Sequence, residues 1–378
     1  MLAALVHGRV LTAAGVEHGK AVLIQAGQIA GVVPMSEVPA SAARRDLAGG
    51  LLVPGYIDTQ VNGGGGVLFN DAPTVETIAA IGAAHRRFGT TGFLPTLISD
   101  DLHVVDQAMR ATEQAIEQGV PGVLGVHIEG PFLNPKRKGI HDEGKFRVID
   151  EDAIALLSSL KRGRTLVTLA PERTTPEMIQ RLANAGVHVA AGHTNALYPT
   201  MRQALAQGLT GVTHLFNAMS PLTSREPGVV GAVLENQTAW AGIIVDGRHV
   251  DPVTLKIALR TRPLDRFMLV TDAMPTVGMA DKRFSLQGRQ IVVRDGVCVG
   301  EDGTLAGSDL DMAAAVRNAV QMLGVSIEDA VMMASAAPAA FLGLDAQRGR
   351  IATGHAADLC LLGDDLSVSA TWIDGDEG

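Results

Sequence analysis

From Val53 onward this chain keeps one rhythm: a short apolar run, a loop, a helical stretch, then the same again. The strand candidates are "GYIDTQV", "GFLPTLI", "GVLGVHIE", "TLVTLAP", "GVHVAAGH", "GVTHLF", "WAGIIVD" and "FMLVTDA". Between them lie helical stretches such as "VETIAAIGAAHRRFG", "DLHVVDQAMRATEQAIEQG" and "TPEMIQRLANAG". The last two end on a glycine suited to a helix C-terminus. Buried strands each followed by an amphipathic helix, repeated eight times over roughly 280 residues, predict an α/β fold of the (β/α)8 barrel type. An open doubly wound sheet is the alternative, because periodicity does not show closure.

The two ends of the chain read differently. Residues 1–53 are short β segments punctuated by Gly and Pro, and the last segments, "IATGHAADLCLLG" and "SVSATWIDG", resemble them. We therefore expect residues 1–53 and 343–378 to pair into one small β-sandwich domain beside a barrel formed by 54–342. "RFSLQGRQIVVRDGVCVGEDG" reads as a β hairpin inserted after the eighth strand. A hydrophobic content of 47% with 19% charged residues is a well-packed globular composition. The net charge of −9 argues against a sequence-independent nucleic-acid partner, which needs a basic face. Only Cys298 and Cys360 are present, and no apolar run approaches the ~18 residues that span a bilayer. The expectation is a cytoplasmic protein with no membrane partner.

The chemistry collects at the ends of the predicted strands, the face on which barrel active sites are built. Strand three ends "HIEGPF", strand five "AAGHTNA", strand six "THLFNAM", strand seven "IIVDGRH" and strand eight "LVTDAMP". Glu129, His193, His214, His249 and Asp272 are thereby brought to one edge. Singly, each has a plain reading as a turn, rim or cap residue; their joint occurrence is what points to a site. One carboxylate and two imidazoles supply three ligands to a zinc-like ion and leave a fourth position for water. The ion lowers the water's pKa towards about 7, and Asp272 can take the proton and deliver it to a leaving group. His127 shares a strand face with Glu129 and is expected beside the site. No Gly-x-Ser-x-Gly elbow and no dinucleotide fingerprint is present, which leaves metal-assisted hydrolysis as the reaction class.

At these residues the sequence resembles the amidohydrolase superfamily and, within it, the N-acetylglucosamine-6-phosphate deacetylases. The likeness runs along nearly the whole chain, through "PGYID", "HIEGPF", "GHTNA", "THLFNAM", "DGRHV", "VTDAM", "GTLAGS" and "GHAADL". It implies that Glu129, His193 and His214 bind the metal and that Asp272 is the acid/base. It also implies that Asn217, Ala218 and His249 meet a sugar phosphate. Arg225 of "SREPG" would reach the phosphate of the neighbouring subunit in a homodimer. "KGIH" puts Ile140 and His141 near the sugar, and "TLAG" puts Leu305, Ala306 and Gly307 at the acetyl end.

Many superfamily members carry His-x-His at the end of strand one as part of a two-metal site. Here those positions are Gln60-Val61-Asn62, and amides are poor zinc ligands beside imidazole. One divalent ion per chain, zinc, is expected, with Gln60, Asn62 and the following "GGGG" forming the rim of the site. The resemblance implies deacetylation of N-acetylglucosamine 6-phosphate. The galactosamine epimer is the near alternative, and a non-catalytic sugar-phosphate-binding barrel the distant one.

Overall fold

The computed structural model describes all 378 residues, Met1–Gly378. Eight parallel strands lie side by side in chain order: Tyr56–Val61, Thr90–Ile98, Gly125–Glu129, Arg164–Leu169, His188–Ala191, Leu209–Val212, Trp240–Ile243 and Phe267–Leu269. Their first and last members meet. The backbone N–H of Asp272 donates to Gln60 O at 3.0 Å, and those of Asn62 and Gly63 donate to Ala273 O at 2.9 and 3.0 Å. The sheet is a nearly closed barrel, and the open-sheet alternative falls.

Helices cover the outside, and their sequences say where each begins. Thr74, Asp150, Thr175 and Asp251 each accept a backbone N–H two or three residues on, satisfying donors that a helix start leaves free. In Leu102–Glu117 the buried residues Val105, Ala108, Met109, Thr112 and Ala115 recur at helical spacing and face the barrel. The helix-facing sides of the strands and the inner faces of these helices share one apolar core. No helix is long and apolar enough to cross a membrane.

Both chain ends build a two-layer β unit. One sheet orders Gln28–Pro34, Lys20–Gln25, Leu2–Val6 and Ala43–Asp46; the other carries Val368–Ile373, Leu359–Leu362, Leu51–Pro54 and Arg9–Thr12. Leu5, Val22, Ile29, Leu52, Leu359 and Trp372 fill the space between them. This unit is fastened to the barrel at the start of strand one, where Gly55 N–H donates to Asp358 O at 2.9 Å. The Asp358 side chain is held in turn by the Arg348 guanidinium.

The segment after strand eight forms more than the expected hairpin. Arg283–Leu286, Arg289–Arg294, Val297–Gly300 and Leu305–Ser308 make a four-stranded antiparallel sheet. Its last strand docks on the barrel, with Ser308 N–H donating to Asp272 O at 2.8 Å. The glycine run is also more ordered than a rim loop. Gly63–Gly64 pairs with Val67–Leu68, and the N–H groups of Gly65 and Gly66 donate to Val277 O and Pro275 O, both at 2.9 Å. A Cβ on Gly64 would sit 2.7 Å from the His85 ring, so this close docking requires glycine.

The barrel seam rests on Asp58, which is fully buried. Its carboxylate accepts from Gln60 N–H at 3.1 Å, Thr271 N–H at 3.3 Å and Thr271 O–H at 2.5 Å, tying strand one to the end of strand eight. Burial pushes the Asp58 carboxyl up to about 7 despite those donors. A carboxyl whose folded pKa exceeds its unfolded value of about 3.9 stabilises the fold fully below about pH 4. That contribution is lost as pH rises through about 7. Asp58→Ala strands three buried donors and should cost about 3–5 kcal/mol at pH 5. Asp58→Asn cannot titrate, so its deficit against wild type should be larger at pH 5 than at pH 8. Urea unfolding at both pH values checks this, and a deficit that widens at pH 8 would contradict it.

Candidate metal centre and active site

Four strands deliver the side chains of the cluster and Asp272, and beyond three of them the backbone turns sharply. Glu129 is the last residue of strand three. His193, His214 and Asp272 lie just beyond strands five, six and eight, with φ of 46°, 33° and 52°. Left-handed backbone at non-glycine residues costs on the order of 1–3 kcal/mol each and persists where the surroundings enforce it. Here it turns the chain over the barrel mouth and sends each side chain inward.

The result is a tight cluster. Glu129 Oε1 lies 3.0 Å from His214 Nε2 and 3.2 Å from His193 Nε2, and the two imidazole nitrogens are 3.1 Å apart. All three residues are buried, and their donor atoms lie within 4.8 Å of one another. His193 Nδ1 donates to the Arg137 carbonyl at 2.9 Å, which leaves the Nε2 lone pair facing the cluster. Burial alone would raise the Glu129 carboxyl, but the adjoining His193 and His214 rings hold it well below the usual carboxylate range. Two imidazole lone pairs and a carboxylate oxygen converging on one point form a donor set that fits a divalent cation.

Asp272 stands beside this cluster. Its Oδ1 accepts from Asn62 Nδ2 at 2.6 Å and from Gln60 Nε2 at 3.1 Å, while Gln60 Nε2 also lies 3.2 Å from Glu129 Oε2. Burial, then the Glu129 charge, raise the Asp272 carboxyl to about 6. Gln60 and Asn62 therefore do not form a rim: both are buried and hold the carboxylates from within. His127 also lies deeper than expected. It bonds Thr168 Oγ1 at 2.7 Å, and Thr168 continues to Thr213 Oγ1 at 2.6 Å, just before His214. Burial keeps His127 neutral, lowering its pKa to about 4.

Above the cluster opens a cleft of about 470 Å³, lined by Glu129, His193, His214 and Asp272 together with Ile140, His141, Asn217, Ala218, His249, Leu305 and Gly307. His249 Nδ1 donates to Asp246 at 2.6 Å, which fixes that ring. The His141 ring lies 4.3 Å from that of His193, and its Nδ1 is 2.8 Å from Ser99 Oγ. Ala306 lies elsewhere, and Arg225, expected at a neighbouring subunit's site, stays outside this one. Ala306 turns its methyl group into an apolar cluster with Leu286 and Cys298, because alternate residues of strand Leu305–Ser308 face opposite ways. Arg225 is exposed, makes no ion pair and does not line this chain's cleft, and the neighbouring Glu226 is occupied by Tyr198 N–H and Gly228 N–H.

The structure also adds residues. Lys136, Arg137 and Lys138 line the cleft, and the signal was the run "PKRKG" directly before "IH". Strand four supplies no cluster atom, but beyond its end Glu172 accepts hydrogen bonds from Asn134, Thr194 and Asn195. Nothing in "APER" marks that role.

Comparison with known proteins identifies the family of the whole chain. The amidohydrolase family matches residues 51–378, and the NagA composite domain matches residues 2–52. The N-acetylgalactosamine-6-phosphate deacetylase of Shewanella sp. (strain ANA-3) is 43% identical over 371 residues, 97% of this chain and 94% of that protein. The N-acetylglucosamine-6-phosphate deacetylase of Haemophilus influenzae is 33% identical over 375 residues, 98% of each chain. The crystal structure of N-acetylglucosamine-6-phosphate deacetylase from Pasteurella multocida matches with a TM-score of 0.97 at 35% identity, covering 100% of both chains. With its barrel-mouth Glu-His-His cluster and these full-length matches, the chain belongs to the amidohydrolase family and carries the NagA composite domain at its start.

Proposed function

We propose that this enzyme hydrolyses the acetamido group of N-acetyl-D-glucosamine 6-phosphate, giving D-glucosamine 6-phosphate and acetate, in the cytoplasm. The observation that carries the reading is Asp272 beside the Glu129–His193–His214 cluster at the floor of a cleft with cations at its mouth. The galactosamine epimer is a second reading, favoured by the 43% identity to the Shewanella N-acetylgalactosamine-6-phosphate deacetylase. Acetate release by the purified protein from each epimer's 6-phosphate tests both, and release from neither would end the proposal.

Glu129, His193 and His214 would hold one divalent ion, zinc. When bound, such an ion supplies Lewis acidity that polarises an amide carbonyl and makes water a nucleophile near neutral pH. Asp272 handles the proton. Its Oδ1 is anchored by Asn62 and Gln60, so Oδ2 is free to take a proton from the attacking water and return it to the departing nitrogen. A carboxyl raised by burial to about 6 is suited to both halves of that transfer, since it takes the proton more readily than an ordinary carboxylate and, with a pKa near neutral pH, can still give it up. Asn217, Ala218 and His249 line the side of the cleft that would take the phosphate, with Arg225 of a second copy completing it in a homodimer.

Three outcomes are expected. The purified protein should hold about one divalent ion per chain, lose activity on chelation and regain it with one equivalent, because the strand-one positions are amides. A requirement for two ions would contradict this. Asp272→Asn should leave substrate affinity nearly intact while kcat falls by more than the ~10²–10⁴-fold typical of acid/base groups. Near-normal turnover would remove Asp272 from the mechanism. Arg225→Ala should lower kcat/KM for the 6-phosphate about 10–150-fold, the value of one charge-assisted contact of roughly 1.5–3 kcal/mol. Turnover of the unphosphorylated sugar should be unchanged, and equal losses on both substrates would return Arg225 to the surface.

A further inference from the structure

We infer that Glu172, at the end of the fourth barrel strand, is the positioning residue that fixes His193 in its ligating orientation. The inference rests on the reading of Glu129, His193 and His214 as metal ligands.

Three hydrogen bonds converge on the Glu172 carboxylate. Oε1 accepts from Asn134 Nδ2 at 2.8 Å and from the Asn195 backbone N–H at 2.6 Å, and Oε2 accepts from Thr194 O–H at 2.5 Å. These donors come from two segments that hold His193 between them. Thr194 and Asn195 follow it directly. Asn134 stands on the loop after strand three, and its backbone N–H donates to His193 O at 3.0 Å.

The circuit then closes. Asn134 Oδ1 accepts from Lys136 N–H at 2.9 Å, shaping the turn that presents the Arg137 carbonyl to His193 Nδ1 at 2.9 Å. Arg137 Nε donates to Asn195 Oδ1 at 2.9 Å. His193 is therefore gripped at its main-chain oxygen and its Nδ1, and both grips lead back to Glu172. The plain reading is that Glu172 only glues two loops together. Against it stands the absence of any salt bridge to Glu172, although Arg173 is the next residue and Arg137 bonds Asn195: the carboxylate spends its acceptors on neutral groups flanking one histidine. An ordinary surface glutamate has no such arrangement, and ligand orientation is commonly set by partners one layer out.

The experiment uses the full chain as wild type, Glu172→Ala, Glu172→Gln and Asn134→Ala. Zn²⁺ affinity is measured by chelator competition, His193 tautomer and ring environment by ¹⁵N imidazole NMR of the metal-free protein, and folding by urea unfolding. Glu172→Ala should lower Zn²⁺ affinity about 10–100-fold and shift the metal-free His193 signals away from the Nδ1–H state. Asn134→Ala should do so more weakly, and Glu172→Gln, which keeps an acceptor for Asn134 and Asn195, should recover most of the affinity. Unchanged affinity and His193 signals in Glu172→Ala would overturn the inference, as would a loss that Gln fails to rescue. If Glu172→Ala does not fold, Asn134→Ala decides by the same two readouts. A wild type that binds no Zn²⁺ would sink the metal-ligand reading instead, while the metal-free His193 signals still judge Glu172.

Discussion

The arrangement of this molecule turns on a buried negative charge. Glu129 is an ionised carboxylate buried at the mouth of the barrel, and an unpaired charge there costs several kcal/mol. Its Oε1 faces two imidazoles, while its Oε2 receives Gln60 Nε2, the same amide that reaches Asp272. Two carboxylates thus share one neutral donor, and without a cation at least one of them is driven towards its protonated form. Burial first, and then the Glu129 charge, raise the Asp272 carboxyl in this way. A divalent ion on the Glu-His-His donors would relieve that tension directly, so the electrostatics and the ligand geometry ask for the same thing.

Holding such a cluster requires the layer beneath it to be polar and fully bonded. His127 meets Thr168, Thr168 meets Thr213, and Asp58 meets Thr271, each pair joining different strands just below the reacting groups. Below that layer the barrel interior is apolar. Leu166, Ala190 and Met268 close it from the strands, and Phe341 and Leu342 plug the far end. The polar layer fixes strand register immediately next to the ligands, where a small displacement would separate them.

How much of this was legible depended on whether a residue's role was local. Strand-helix alternation, caps and strand-end histidines are local patterns, and they located the barrel and the cluster residues. Asp58, Gln60 and Asn62 alternate as polar residues, which in an open strand suggests a wet edge. In a closed barrel the same alternation faces the interior, and all three are buried. Ala306 was misplaced by one step of a period-two strand. Glu172 was invisible because its partners are contributed by loops distant in sequence, whereas Arg225 was named from the family resemblance alone and a single chain offers it nothing to bind.

The overall charge of −9 looks unfavourable for an anionic substrate, but its distribution within the cleft is what matters. Glu129 and Asp272 lie at the floor, and Lys136, Arg137, Lys138 and His249 line the walls. Lys138 is within 3.5 Å of Glu143 and Arg137 is bonded to Asn195, whereas Lys136 is exposed and has no acidic partner. With a divalent ion on Glu129, His193 and His214 the charges of Glu129 and Asp272 are balanced, so the uncompensated charge of the cleft is the positive charge on its walls. A phosphate entering the cleft is attracted there, and for the proposed substrate this favours the orientation with the acetamido group towards Asp272 and the phosphate away from it. Orientation by the walls needs no tight fit at the reacting end, which suits a site whose floor must also admit water.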